Sequence, residues 1–231
     1  MIRVIITDIE GTTTSKTFER EVLLPYAARH MASFVRENSD QPEVRDQLER
    51  LAAEVDSAPS QLENLINHLD KRIQEESDDP ALRALQGLIW EKGYQAGDFK
   101  GSLYPDAADY LLRWHDRGLR NFTFSSWSVK GQRELLQYSE QGDLTPVISD
   151  FFDTRIGGKR SADSYTWIRD QIGMELDVNW VLYLSNEEEE LAAAERAGMR
   201  TCWIVRHGPL PRTERPVART FEDVDALVQA R

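Results

Sequence analysis

One cysteine, Cys202, stands in a chain of 231 residues. An intramolecular disulfide is thereby excluded, and a reducing compartment, the cytoplasm, is the expected setting. The four histidines, His30, His68, His115 and His207, are scattered without metal-ligand spacing and offer no zinc site. Basic charge is short as well: Lys and Arg number 28 against 40 Asp and Glu, a formal net charge of −12. A field of that sign repels polyanions, so neither nucleic acid nor an anionic membrane is an expected partner. No apolar run approaches the roughly 18 residues that cross a bilayer, and Asp8 comes too early for the apolar region of a secretion signal. What is present is 40% hydrophobic and 29% charged residues, the balance of a globular protein with one large domain or a core carrying an insert. A protein this acidic needs a local positive site if it is to hold an anion.

Hydrophobic patterning divides the chain into two textures. Val4-Ile5-Ile6-Thr7 is a short β-branched run of the kind buried on both faces of a parallel sheet, with Asp8 at its carboxyl end. From Phe18 to about Gly97 the apolar residues fall at three- and four-residue steps, as in Val22, Tyr26, Ala27, His30, Met31 and Phe34, and predict about four helices. Pro42 and Pro59 stand where helices are expected to begin, and Pro80 follows the acidic turn Ser77-Asp78-Asp79. After Gly101 strands and helices alternate. A helix is expected from Pro105 to His115, then a strand Asn121–Phe124, a strand Trp180–Leu184, a helix Glu187–Ala197 and a strand Thr201–Val205. This alternation predicts an α/β fold with a doubly wound parallel sheet, residues 1–17 and 99–231 forming the core and 18–98 an all-helical cap inserted after the first strand.

Ligands of such sheets bind outside the carboxyl ends of the strands. Asp8 with Glu10, Ser125 with Ser126, Lys159, and Asn186 with Glu187 fall just past strand or loop ends. Singly each has a bland explanation: a cap, a turn, a solvated loop charge, an acidic first helical turn. Together they bring a carboxylate nucleophile, a hydroxyl pair, an ammonium and a carboxylate-rich loop to one crevice, a set suited to phosphoryl transfer. Cys202 is expected in a buried strand as a small core residue.

Asp8-Ile9-Glu10-Gly11-Thr12-Thr13 resembles the nucleophile motif of the haloacid-dehalogenase-type phosphatases in the variant typical of the enolase-phosphatases, or acireductone synthases, of methionine salvage. Pro25-Tyr26-Ala27, Ala84 to Trp90 with Gly93-Tyr94, Leu103-Tyr104-Pro105-Asp106, Ser125-Ser126, Phe151-Phe152-Asp153-Thr154, Lys159-Arg160 and Leu191 to Thr201 match in order over nearly the whole chain. The resemblance implies a haloacid-dehalogenase-like core and a Mg²⁺-dependent bifunctional enzyme. Its substrate would be a small phosphorylated metabolite, 2,3-diketo-5-methylthiopentyl 1-phosphate, converted through an aspartyl-phosphate to the acireductone and phosphate. Asp8 would be the nucleophile and Glu10 the acid and base, Ser125, Ser126 and Lys159 would hold the phosphoryl group, and Asp8, Glu10 and Asn186 would hold Mg²⁺. The helical block would act as a lid, and a lidded core of this size can work as a monomer.

Three positions depart from the family pattern. Trp127 stands where the serine pair is normally followed by Gly, Asn186 where the metal loop has Asp, and Gly158 where Pro often precedes the Lys. Glycine permits positive φ and close backbone approach, which Trp does not, and a carboxamide in place of a carboxylate weakens a site for a hard cation. Glu187 and Glu190 are candidates to compensate. These departures leave open a diverged member with weak or no turnover, or a phosphatase for another small phosphoester.

Overall fold

The computed structural model describes residues 2–55, 58, 61–77, 79–173 and 177–229. Pro59 and Asp78, both invoked above for helix starts, lie outside them. The described chain divides into two compact units, Met1–Lys16 with Lys100–Arg231, and Thr17–Phe99.

In the first unit, six described strands form one sheet: β1 (Val4–Thr7), β2 (Arg120–Ser125), β3 (Ile148–Asp153), β4 (Val181–Ser185), β5 (Arg200–Ile204) and β6 (Val217–Ala218). They are all parallel, in the order β3-β2-β1-β4-β5-β6. β1 is therefore central, and all four of its residues are buried, which is why its sequence shows no polar alternation. Register aligns Thr7 with Thr123 on one side and with Leu184 on the other. Asp8, Ser125 and Ser185 thus emerge at the same edge, beside the point where the strand order reverses.

Two strands escape the sequence pattern. β3 sits at the sheet edge and exposes Ser149 and Asp150, so only half of it carries strand-like residues, and β6 is two residues long. The remaining differences are at element ends: Trp180 belongs to a 3₁₀ turn ahead of β4, and Val205 lies just past β5. The sheet packs Ile6, Phe122, Phe124, Tyr183 and Val4 against Tyr165, Ile168 and Leu191, and each fully buried side chain of this size contributes about 1.5–3 kcal/mol.

The second unit holds the four long helices that follow α1 (Lys16–Phe18): α2 (Leu24–Asn38), α3 (Pro42–Glu54), α4 (Leu62–Gln74) and α5 (Pro80–Ala96). Pro42 and Pro80 occupy first-turn positions, where a missing N–H costs nothing, and Asp79 caps α5 by accepting from Leu82 N at 2.8 Å. Met31, Val35, Leu51, Leu65, Leu85 and Ile89 form its separate core. No described helix is long and apolar enough to cross a membrane.

The first unit also contains α6 (Pro105–Asp116), α7 (Val129–Gln137), α8 (Ala162–Ile172), α9 (Glu188–Arg196) and α10 (Phe221–Gln229). α10 is fastened to α6 by Asp225, which accepts from Trp114 Nε1 at 2.8 Å and from Gln229 Nε2 at 2.5 Å and pairs with Arg117. Burial opposes ionisation of Asp225, but the bonds from Arg117, Trp114 and Gln229 outweigh it and hold the carboxyl below its ordinary 3.8. Its stabilising contribution is thus full above pH 3.8 and is lost as pH falls through the lowered value. Asp225→Ala is expected to lower the unfolding free energy by about 2–3 kcal/mol at neutral pH, since Trp114 loses its acceptor while Arg117 can turn to water. Urea titrations across acidic pH check this: the wild-type and variant stabilities should converge as the carboxyl titrates.

Candidate active site

Asp8 leaves β1 into a tight turn, Ile9–Thr14, that ties itself together. Thr12, Thr13 and Thr14 N all donate to Ile9 O, and the Thr13 hydroxyl donates to Asp8 O at 2.7 Å. Gly11 adopts φ +75°, so glycine is required there by conformation, and a Cβ would come 2.7 Å from both Asn186 Nδ2 and Lys16 Cε. The Asp8 carboxylate is buried and its two oxygens are distinguished: Oδ1 pairs with Lys159 Nζ, and Oδ2 accepts from the Thr12 hydroxyl at 3.0 Å. Glu10 is half-buried in the same turn, its backbone bridged to Thr14.

Lys159 is brought in from beyond β3. Gly157, at φ +135° with a Cβ position 2.5 Å from Ser164 Oγ, makes the turn that permits this. The glycine requirement lies there and not at Gly158, where a Cβ would meet nothing. The Lys159 ammonium, only 10% exposed, sits between Asp8 and Glu190, whose Oε2 is 3.0 Å away. Glu190 Oε2 also accepts from Tyr183 OH and Ser185 Oγ, each at 2.8 Å. Burial pulls the Lys159 pKa down, but the charges and hydrogen bonds of Asp8 and Glu190 outweigh it and hold the ammonium above its ordinary 10.5. For Asp8, burial raises the carboxyl above its ordinary 3.8; Lys159 pulls against this, Glu190 adds to it, and the rise prevails.

Glu190 is the residue that the run Glu187–Glu190 hides. As an acidic first turn all four carboxylates would be solvated, but Glu190 is buried with Leu191, Ala193 and Ala194 on the packed face of α9. No signal within the four-glutamate run marks it in the sequence. Its carboxylate pairs with Lys159, as that of Asp8 does. Glu187 is likewise engaged, with Lys16 Nζ at 2.5 Å.

Asn186 follows β4 and reaches the nucleophile turn. Its backbone N donates to Thr12 Oγ1 at 3.1 Å, its Oδ1 lies 3.3 Å from that hydroxyl, and its Nδ2 donates to Glu187 Oε1 at 3.2 Å. The last bond fixes which end of the amide is oxygen. Trp203 Nε1 donates to Asn186 O at 3.2 Å and steadies the loop. Among the described residues no three His, Cys, Asp or Glu side chains form a metal-binding group. Even so, Asp8 Oδ2 and Asn186 Oδ1 present two hard oxygens around one hydroxyl. That donor set fits a magnesium ion that keeps most of its waters and takes substrate oxygens for the rest.

Ser125 ends β2 and is buried, its Oγ accepting from Trp127 N at 3.1 Å, whereas Ser126 is exposed at the same edge. Trp127 does not need positive φ; among described non-glycine residues only Glu76 adopts it. The backbone strain feared from a tryptophan at this position is absent. Trp127 Nε1 is buried without a hydrogen-bond partner, and Trp127 O is held by Gln132 Nε2 at 2.8 Å. Cys202 is buried, with its thiol pushed up to about 12 by burial and by Asp223, and is inert.

A doubly wound parallel sheet with a carboxylate at the end of its first strand, and a lysine and hydroxyls at the neighbouring strand ends, defines a haloacid-dehalogenase-like hydrolase. Solved structures with this fold include the L-2-haloacid dehalogenase of Xanthobacter autotrophicus, 15% identical with a TM-score of 0.57 and covering 100% of this chain and 99% of that one. The UTR4 protein of Saccharomyces cerevisiae is 30% identical with a TM-score of 0.79, over 96% and 99% of the two chains. No protein-family profile matches the chain. Relatives named enolase-phosphatase E1 include those of Marinobacter nauticus, 51% identical over 100% of both chains, and Hahella chejuensis, 44% identical over 96% of this chain and 95% of the relative. The chain belongs to the enolase-phosphatase E1 family, and is a phosphoric monoester hydrolase.

Proposed function

We propose that this hydrolase is a Mg²⁺-dependent bifunctional enolase-phosphatase of methionine salvage. It would convert 2,3-diketo-5-methylthiopentyl 1-phosphate to 1,2-dihydroxy-3-keto-5-methylthiopentene and phosphate as a cytoplasmic monomer. The observation that carries the reading is the placement of Asp8, buried at the end of the central strand with one oxygen on Lys159 and the other on Thr12. In the enolase step Glu10 would move a proton from the carbon bearing the phosphate toward the adjacent carbonyl oxygen. In the phosphatase step an Asp8 oxygen attacks phosphorus while Glu10 protonates the leaving ester oxygen, giving an aspartyl-phosphate. Water, deprotonated by Glu10, then attacks that phosphorus and releases inorganic phosphate.

Ser125 and Ser126 would bind phosphoryl oxygens through hydroxyl and backbone N–H, and Lys159 would neutralise one as a point charge. Charge arithmetic supports the cation. Lys159 at +1 with Asp8 and Glu190 at −1 each sums to −1, so the lysine alone does not make the crevice positive. Magnesium held by Asp8, Glu10 and Asn186 would screen the phosphate charge. The Thr17–Phe99 unit would serve as the lid that excludes water.

Purified protein incubated with the diketo phosphate and Mg²⁺, with enol absorbance and phosphate followed together, tests the reading. Both signals are expected. Phosphate alone would mean a simple phosphatase, and neither would mean a binding protein. If Asn186 is a neutral ligand where the family has a carboxylate, Asn186→Asp should lower the Mg²⁺ needed for half-maximal rate roughly tenfold, about 1.4 kcal/mol of cation binding. An unchanged Mg²⁺ titration would remove Asn186 from the metal site.

A further inference from the structure

Arg206 lies just past β5 and belongs to none of the segments that carry the resemblance, yet its side chain is 6% exposed and is aimed at the back of the nucleophile turn. Nε and Nη2 both donate to the carbonyl oxygen of Thr12, at 3.0 and 2.7 Å. Nη1 donates to Asp106 Oδ2 at 2.6 Å and to Arg219 O at 3.1 Å. The guanidinium carbon lies 4.1 Å from the ring centre of Tyr104 and 5.1 Å from that of Phe221. Asp106 Oδ2 is fixed in turn by Phe221 N at 2.8 Å. Two donors of a rigid fork on a single carbonyl leave that peptide little freedom, and the aromatic faces and the carboxylate leave the fork little.

The peptide so held carries the hydroxyl on which the site converges. Thr12 Oγ1 donates to Asp8 Oδ2, receives Asn186 N, and has Asn186 Oδ1 beside it. Resting on the phosphatase reading, we propose that Arg206 is a positioning residue: by clamping the Thr12 carbonyl it sets the Thr12 hydroxyl, and thereby the spacing of Asp8 Oδ2 and Asn186 Oδ1, for cation binding and for attack by Asp8. It touches neither substrate nor cation. A lysine at 206 would keep the charge beside Asp106 and lose the two-donor grip.

The test uses Arg206→Lys, Arg206→Ala, Thr12→Val and the double variant Thr12→Val/Arg206→Lys, with Mg²⁺ binding by titration calorimetry and phosphate release measured on each. Arg206→Lys is expected to weaken Mg²⁺ binding about tenfold and lower kcat about a hundredfold, the scale of a misplacement near 1 Å. KM is expected to change little, and millimolar guanidinium should partly restore Arg206→Ala. In the Thr12→Val background Arg206→Lys should add little, because the two act through one hydroxyl. A lowered melting temperature with unchanged Mg²⁺ binding and kcat would overturn the proposal and leave Arg206 as packing, and so would full additivity in the double variant. If Arg206→Ala does not fold, Arg206→Lys carries the test. Should the wild type hydrolyse no phosphate ester, the phosphatase reading fails on its own, and the calorimetry still decides whether Arg206 shapes the cation site.

Discussion

Asp8→Asn is expected to abolish phosphate release, a loss of about 10⁴-fold or more in kcat on the scale of removing a nucleophile, while the protein remains folded. Two features of the geometry make these expectations separable. The attacking group disappears because a carboxamide cannot displace an alkoxide at phosphorus and survive as an ester, so rapid acid quenching should trap phosphorylated protein from the wild type and none from the variant. The fold, by contrast, has something to gain. Burial and the neighbouring Glu190 charge hold the Asp8 carboxyl above its ordinary 3.8 against the pull of Lys159. A group raised in this way contributes most when protonated, below 3.8, and loses that contribution as pH rises through its folded value. At neutral pH its charge therefore weighs on the fold. Removing it leaves Lys159 with Glu190 as a neutral pair, and the variant should melt at or above the wild-type temperature. An inactive variant that also melts well below wild type would mean that Asp8 is chiefly a structural partner of Lys159. Normal turnover would remove the covalent mechanism.

Such a trade of stability for reactivity explains which parts of the site were legible in sequence. Asp8, Ser125 and Asn186 are legible because parallel strands deliver their ends to one edge, whereas Lys159 lies past β3 beyond a 3₁₀ turn and stands out only by following Gly157-Gly158 and by the resemblance. The order β3-β2-β1-β4 makes those four strand ends neighbours. Asp8 and Asn186 depend on local chain geometry, a short apolar strand and the residue after it. Glu190, Thr12 and Arg206 depend on what lies opposite them. Nothing in Glu187-Glu188-Glu189-Glu190 distinguishes its last member until Tyr183 and Ser185 of β4 are seen donating to it. Arg206 is separated by 194 residues from the carbonyl it clamps. The fold shows the same division. Buried central strands announce themselves by β-branched runs, whereas β3, with Ser149 and Asp150 exposed at the sheet edge, reads as a loop until Phe122 and Phe152 are seen stacked 5.9 Å apart.

Lys159→Met is expected to be the most damaging substitution to stability and activity together. The lysine is the cation between two buried carboxylates, Asp8 and Glu190. Methionine fills the aliphatic path and leaves both acids without a counter-charge, a loss expected to cost about 3–5 kcal/mol at neutral pH. The sign of the pH dependence distinguishes this from lost packing. The wild-type ammonium is held above its ordinary 10.5, so its contribution is complete at every pH below that and disappears only on strong alkalinisation. In the variant Asp8, already raised by burial, also loses the charge of Lys159 that pulls it down. The deficit should therefore shrink as pH falls and grow as pH rises toward neutrality. Packing loss would give a deficit independent of pH. Glu190→Gln supplies the contrast, since it leaves Lys159 paired with Asp8 and keeps a side-chain oxygen for Tyr183 and Ser185; its stability should stay within about 1–2 kcal/mol of wild type. Phosphate release should fall about 10²–10³-fold in Lys159→Met, the range for removing one electrostatic donor from a developing anion. A flat stability difference between acid and neutral pH, measured by urea unfolding, would show that Asp8 and Glu190 are already solvated and that Lys159 does not hold them together.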